Sequence, residues 1–301
     1  MNISEITALG LWPQSKKTTS QKGLSELEDL GYNLFYIGKN ADLYTCPGKD
    51  AKVLLVRSDR CSVFDIPLNL EIEGKGVSQT AISNSGAAFA RKAGISTAIL
   101  EEQIDQSLEI APRCQLMELC KPLEASIDGE LVQFEFIFRN YLTGSLYEAC
   151  QNGNDPYGLD LGKDLEQWHK FETPIFTPTT KGTKDIPLNT QKVREIFPDI
   201  ITSLENLFKD YTKFASDNGI IIVDTKFEAF VNAKGEWILG DEILTPESSR
   251  FIASEDFDKG AFISMDKQIL RNFGKEDNWK EKAKELKAGE KLEVNVPDSI
   301  K

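Results

Sequence analysis

The sequence predicts an α+β chain folded in two lobes, and three observations carry that expectation. The chain has 301 residues, the upper edge of what one core organises, since single hydrophobic cores stop growing at roughly 250–300 residues. Its opening third is a succession of short segments that alternate or run apolar like strands. Later, one long stretch of helical spacing leads directly into the strand "IIIVDTKFEAF", so the second lobe reads as helix on sheet.

Taken in order, "SQKGLSELEDL" has the spacing of a short amphipathic helix. "NLFYIGKNADLYTC" and "AKVLLVRSDRCSVFDIPL" read as strands, and the turn-forming "CPGKD" between them predicts a hairpin. "SQTAISNSGAAFARKAGI" follows as a helix with Gly94 near its end. "QLMELCKPLEA" is apolar and then broken by Pro122, which marks a crossover between lobes and sets the expected domains at 1–119 and 120–301. In "SIDGELVQFEFIFRNYLTG", Asp128-Gly129 is a hairpin turn and the next strand runs into Arg139. "NTQKVREIFPDIITSLENLFKDYTKFASDNG" carries helical spacing throughout, opens on Asn/Thr and closes on Asn218-Gly219. The tail "KEDNWKEKAKELKAGEKLEVNV" is charged and predicts an exposed helix.

Composition removes several classes of function. A formal net charge of −13 and a sequence pI near 4.8 repel nucleic acid and anionic membranes, so no nucleic-acid or membrane partner is expected. An anionic small ligand would need locally gathered cations, backbone N–H groups or a metal. Five cysteines without a CxxC pair suggest neither a disulfide framework nor a zinc ribbon, and the expected compartment is the cytoplasm. No segment has the layout of a signal peptide, and no apolar run approaches the ~20 residues that span a bilayer.

The stretch "VDTKFEAFVNAKGEWILGDEILTPESSRF" carries the most chemistry. Residues two apart on a strand share a face, so Asp224, Lys226 and Glu228 point one way and Thr225, Phe227 and Ala229 the other. A turn at 232–235 predicts pairing of 226 with 241 and 228 with 239, which adds Asp241 to the charged face. Such a face is either a solvated surface with a salt bridge of little worth or an acidic floor. Carboxylates in excess of ammonium groups suit magnesium (Mg2+), which takes one or two protein carboxylates and completes its shell with water and phosphate oxygens.

Other segments carry weaker signals. "IEGKGVSQT" sets Lys75 between glycines, where backbone approaches an anion closely, but neither a P-loop nor a GxGxxG fingerprint is present. "TPIFTPTTKGTKD" combines hydroxyls with Lys181 and Lys184 and reads equally as a phosphate cradle or a polar surface loop. "FRNYLTGS" ends a strand on Arg139 and turns at Gly144 into Ser145; "TPESSRF" adds Arg250. His169 is the only histidine, in a context that reads as helix surface, and no kinase HRD or DFG occurs.

Together, "YIGKNADLY", "SDRCSVFD", "EGKGVSQTAISN", "EFIFRNYLTGS", "PIFTPTTKG", "GIIIVDTKFEAF", "LGDEILTPESSRF" and "SMDKQILRNF" resemble, in order, the segments of the phosphoribosylaminoimidazole-succinocarboxamide synthase (SAICAR synthetase) family of purine biosynthesis. The resemblance runs from about residue 35 to 273. It implies a two-lobed SAICAR synthase-like fold related to ATP-grasp, with a β-rich N-terminal lobe. It also implies a ligase that joins carboxyaminoimidazole ribonucleotide to L-aspartate with ATP and Mg2+. A carboxylate resists amine attack until ATP converts it to an acyl phosphate, a step served by positioning and charge neutralisation.

By that resemblance Lys39 lies under the ATP phosphates, Met117 and Glu118 meet the adenine, and Lys181 is a second cation for the triphosphate. Glu228 and Asp241 hold the metal and border the nucleotide, and Lys226 and Asp224 border the reacting carboxylate as catalytic groups. Arg139, Ser145 and Arg250 match ribonucleotide-binding positions, and Asp65 and Lys75 line the same substrate site. Two departures stand out: Asn40 and Ala41 replace the family's usual basic or polar residue after the GK lysine, and "EASIDGELVQ" predicts a lengthened hairpin. The alternatives are a related small-molecule kinase, an ATP-grasp-like ligase with another substrate, or a non-catalytic nucleotide-binding regulator. Self-association is left open.

Overall fold

The computed structural model describes residues 24–49, 51–64, 66–182, 184–287 and 289–297. The chain forms two compact units, one built from residues up to Ala87, Ala98–Lys121 and Lys267 onward, the other from Ala88–Thr97 and Pro122–Asp266. The break after Lys121 lies beside the boundary expected at 120, but the chain from Lys267 onward returns to the first unit.

In the first unit, helix α1 (Leu24–Asp29) precedes strands β1 (Asn33–Ile37), β2 (Ala41–Thr45) and β3 (Lys52–Arg57). These continue into the two-stranded β4 (Arg60–Val63) and β5 (Ile66–Glu71), helix α2 (Lys75–Lys92) and β6 (Cys114–Glu118). The main sheet has the order β1-β2-β3-β6, every pair antiparallel. The hairpin expected around "CPGKD" is the β2–β3 pair; the segment before it contributes two strands, and the one after it contributes β3, β4 and the start of β5. Leu27, Tyr44, Leu54, Val56, Ile110 and Leu116 fill the core on this sheet. The part of "SQKGLSELEDL" before Leu24 lies outside the described residues.

The tail corrects the expectation of an exposed helix. Among the described residues, the α-helices here are Gln268–Glu276 and the short Trp279–Lys282, which runs into a 3-10 turn at Ala283–Glu285, and Trp279, Leu292 and Val296 are buried against Cys61, Val63, Leu68 and Leu70. The indole lies so close to the helix carrying Gly274 that a Cβ there would come within 2.5 Å of its Cε3. A charged sequence with three well-spaced apolar anchors thus packs as an irregular strap, because burying those few side chains outweighs helix continuity.

The second unit centres on a sheet of order β9-β8-β11-β12, where β8 is Glu130–Tyr141, β9 Lys170–Phe176, β11 Ile220–Val231 and β12 Trp237–Gly240. Strands β7 (Glu124–Ile127) and β10 (Thr179–Thr180) pair with β8, and β13 (Ser249–Ala253) pairs with β11. Asp128 and Gly129 both adopt positive φ, 50° and 90°, the two-residue turn that Asp-Gly favours, so the lengthened hairpin forms as expected. The long helical stretch is two helices, α4 (Thr190–Ile196) and α5 (Pro198–Asp217). Pro198 lacks an N–H and pushes Phe197 out of helical geometry, to φ −128° and ψ 53°. Asn189 caps α4 by accepting the Lys192 N–H, and Gly219 ends α5 at φ +76°.

Helix α5 lays Ile201, Leu204 and Phe208 on the sheet, where Phe134, Phe136, Phe138, Phe176 and Phe227 form a buried aromatic layer. Strand alternation sends Phe134, Phe136 and Phe138 into this layer and Glu135 and Arg139 to the opposite face. Thr225, Phe227 and Ala229 point inward as expected, each buried. The helix-covered face therefore fixes the register, and a one-residue slip would bury charge in place of Phe.

Candidate active site

Three strands bring two arginines onto one aspartate. Asp224 on β11 pairs with Arg139 on β8 and with Arg250 on β13. Arg139 donates through Nη1 to Asp224 at 2.8 Å and through Nε to the buried Thr177 hydroxyl at 2.9 Å. Arg250 forks onto both Asp224 oxygens, with Nε at 2.8 Å and Nη2 on the second oxygen. Burial opposes the charge on Arg250, but the field and hydrogen bond of Asp224 raise its pKa above the ordinary value. Two guanidiniums thus share the Asp224 carboxylate, and the Asp266 carboxylate also acts on Arg250.

Arg250 faces the N-terminus of α3 (Gly144–Gln151). Gly144 has φ +61°, and a Cβ there would stand 3.1 Å from Arg250 Nη1, so only glycine suits both the turn and the approach. Thr143, the N-cap, makes no side-chain capping bond, and Ser145 is exposed on the first turn. Unsatisfied N–H groups at a helix N-terminus, beside a guanidinium and a hydroxyl, make an anion site of the kind a phosphate fills.

Two steps along β11 a second charged cluster begins. Lys226 donates to Glu135 at 2.6 Å and lies 3.2 Å from Glu228. Lys181 pairs with Glu228 and stands 4.0 Å from Asp241. Glu135 also accepts the Thr179 hydroxyl at 2.8 Å. Burial pulls the Lys226 pKa down, but Glu135, with further help from Asp241 and Asp185, raises it overall. Three carboxylates against two ammonium groups leave surplus negative charge, and while Asp224 and Glu228 are both under 10% exposed, the Lys181 and Asp241 side chains are 38% and 45% exposed. The two clusters, at 224 and 228, are separated by about 13 Å at the strand rise per residue.

The expected hairpin register is corrected by one residue: Glu228 pairs with Gly240 and Ala229 with Leu239. Asn232 causes the shift. Its N–H donates to Glu236 O at 2.9 Å, and its side chain accepts the Lys234 and Glu236 N–H groups at 2.9 and 3.0 Å. That leaves an odd loop of 233–235 with Gly235 at φ +81°, where an even turn was read. Asp241 consequently falls beyond β12, and its left-handed φ of +55°, a conformation Asp tolerates, returns the carboxylate towards Lys181.

Of the nucleotide positions read from the sequence, Lys39, Met117 and Glu118 lie in the first unit, as does the substrate position Lys75. Lys39 sits in the β1–β2 turn, held where Gly38 N–H donates to Ala41 O at 2.8 Å and Arg60 donates to Gly38 O at 2.9 Å. Lys75 opens α2 and donates to Arg60 O at 3.1 Å. Asp59 secures that helix start, accepting Gly76 N–H at 2.9 Å and both Arg113 Nη groups at 2.7 Å. Burial works against ionisation of Asp59, yet Arg113 and these N–H groups bring its pKa below the ordinary value. Met117 and Glu118 end β6, opposite Val53 and Lys52. Asp65 lies outside the described residues.

The structure thus gathers Arg139, Asp224 and Arg250 beside Ser145, and Lys181, Lys226, Glu228 and Asp241 around one another. Sequence reasoning missed Glu135, Thr177 and Thr179. Glu135 was visible as the residue sharing a strand face with Arg139, whereas the two threonines, read as loop hydroxyls, are buried clamps on Arg139 and Glu135. Among the described residues no group of three or more His, Cys, Asp or Glu forms a self-sufficient metal cluster. The paired Glu228 and Asp241 carboxylates, with an ammonium already drawn to them, fit an ion that takes few protein ligands and the rest from phosphate and water.

The SAICAR synthetase family model matches residues 34–286. A phosphoribosylaminoimidazole-succinocarboxamide synthase of Desulfotalea psychrophila is 31% identical over 82% of this chain and 85% of its own length. One from Actinobacillus succinogenes is 33% identical over 84% and 90%. A Saccharomyces cerevisiae SAICAR synthase solved in complex with SAICAR has the same fold, with a TM-score of 0.68 and 24% identity over 95% of this chain and 93% of that one. The family match, the identities sustained along both lengths and the shared fold establish that this chain belongs to the SAICAR synthetase family.

Proposed function

We propose that this chain is an ATP-dependent ligase that joins L-aspartate to the carboxylate of carboxyaminoimidazole ribonucleotide, giving SAICAR, ADP and phosphate in purine biosynthesis. The carrying observation is the division of the β11 face, with two guanidiniums gathered on Asp224 and a surplus of carboxylates around Glu228. A substrate whose phosphate meets the arginines and whose carboxylate reaches Lys226, with a divalent ion offsetting the acidic groups, suits that arrangement.

In this reading the 5′-phosphate rests on Arg250, Ser145 and the N–H groups opening α3, with Arg139 and Asp224 holding the Arg250 fork. The substrate carboxylate then lies by Lys226, whose ammonium Glu135 orients. Lys39 and Lys181 neutralise the triphosphate, Met117 and Glu118 receive the adenine, and Asp65 and Lys75 border the substrate. Glu228 and Asp241 would hold Mg2+, which supplies charge neutralisation at the phosphates. The carboxylate oxygen takes the γ-phosphoryl group as ADP leaves. The aspartate amine then attacks the acyl carbon, the C–O bond to phosphate breaks, and the nitrogen loses a proton. No described helix is long and apolar enough to cross a membrane, and a cytoplasmic location is part of this reading.

A coupled assay of ADP formation with the ribonucleotide, run with and without L-aspartate, tests this directly. The ligase releases ADP in stoichiometry with SAICAR and only when both are present at steady state. Sustained ADP release without aspartate would indicate a kinase instead.

A further inference from the structure

We propose that the Lys181 ammonium is a tethered counter-ion with two stations, filling the cation position between Glu228 and Asp241 in the empty enzyme and moving onto the phosphates when metal and nucleotide arrive. The proposal rests on the assignment of Glu228 and Asp241 as metal ligands. Its geometry is specific to this loop. Lys181 pairs with Glu228, stands 4.0 Å from Asp241 and passes 6.0 Å from the Phe230 ring. Its backbone is fixed, with N–H donating to Gln133 O at 2.9 Å, and the preceding Thr180 is tied to Ile186 through N–H to O at 2.9 Å.

The side chain, by contrast, is 38% exposed. A long flexible stem on an anchored backbone can change station by rotamer alone. Lys226 is built differently: it rises from mid-strand and is bound by both Glu135 and Glu228, so it stays in place. The device answers an electrostatic problem. Glu228 is almost wholly buried, and a buried carboxylate stripped of its partner is costly. An ammonium on a tether pairs with it until a divalent ion takes that place.

Two effects of opposite sign follow. Removing the Lys181 charge takes away a competitor for bare metal and also a partner for the metal–nucleotide complex. Manganese titrations followed by electron paramagnetic resonance on wild type, Lys181→Met, Lys181→Gln and Lys181→Arg read both. The neutral variants should bind free Mn2+ about tenfold more tightly than wild type and Mn–ATP about tenfold more weakly, as expected for one charge near partly buried partners. Lys181→Arg should behave like wild type toward free Mn2+. If the neutral variants leave free Mn2+ affinity unchanged or weaken it while wild type binds Mn–ATP, the two-station proposal is overturned and the metal assignment stands. If Glu228→Gln leaves Mn–ATP binding intact, both fall.

Discussion

At the scale of single residues, the site is organised by charges that hold one another in place. Asp224 is held by two guanidiniums and Lys226 by Glu135, and both are proposed to border the reacting carboxylate. Glu135 sets the orientation and charge of that lysine. Replacing Glu135 by Gln should lower kcat by about 10- to 100-fold with a smaller change in ribonucleotide KM, because the ammonium loses its anchor and the phosphate grip is untouched. The same variant has a pH signature. A raised folded-state pKa for Lys226 stabilises the fold below the ordinary lysine value of 10.5, and that contribution is lost as pH rises through the folded value. Thermal melts from pH 8 upward should therefore show Glu135→Gln closing on wild type at the alkaline end, having less to lose.

At the scale of elements, strand periodicity was legible because one face of β8 and β11 is packed with Phe and the other carries charge, so the side each residue faces follows from parity alone. What sequence could not give was register. The Asn232 side chain closes an odd loop, and parity reasoning has no access to which backbone N–H groups an Asn captures. The left-handed Asp241 was hidden for the same reason, and the split at Phe197 because Pro198 could also have opened on an unbroken kinked helix. The start of α2 gives an element-scale test. Asp59, pinned by Arg113 and capping the turn that carries Lys75, has a lowered pKa. Its contribution is present above the ordinary value of 3.8 and is lost as pH falls through the folded value. Arg113→Met should therefore be less stable than wild type at pH 7, and the gap should narrow on acidification towards pH 3 in denaturant melts.

At the scale of the whole molecule, a net charge of −13 argues against polynucleotides, while the arginines mark where one phosphate is proposed to rest. Family membership was legible in eight ordered segments because they include the strands, turns and charged positions that build the site. The tail was misread because its anchors are few and scattered among charges. The central claim is that Glu228 and Asp241 hold the divalent ion through which a triphosphate activates a carboxylate. Anomalous scattering from Mn2+ in crystals grown with ATP analogue tests it most directly. The account predicts a manganese peak bonded to the Glu228 and Asp241 carboxylates, with Lys181 withdrawn from Glu228. A nucleotide-bound manganese that touches neither residue, with Lys181 still paired to Glu228, would contradict it.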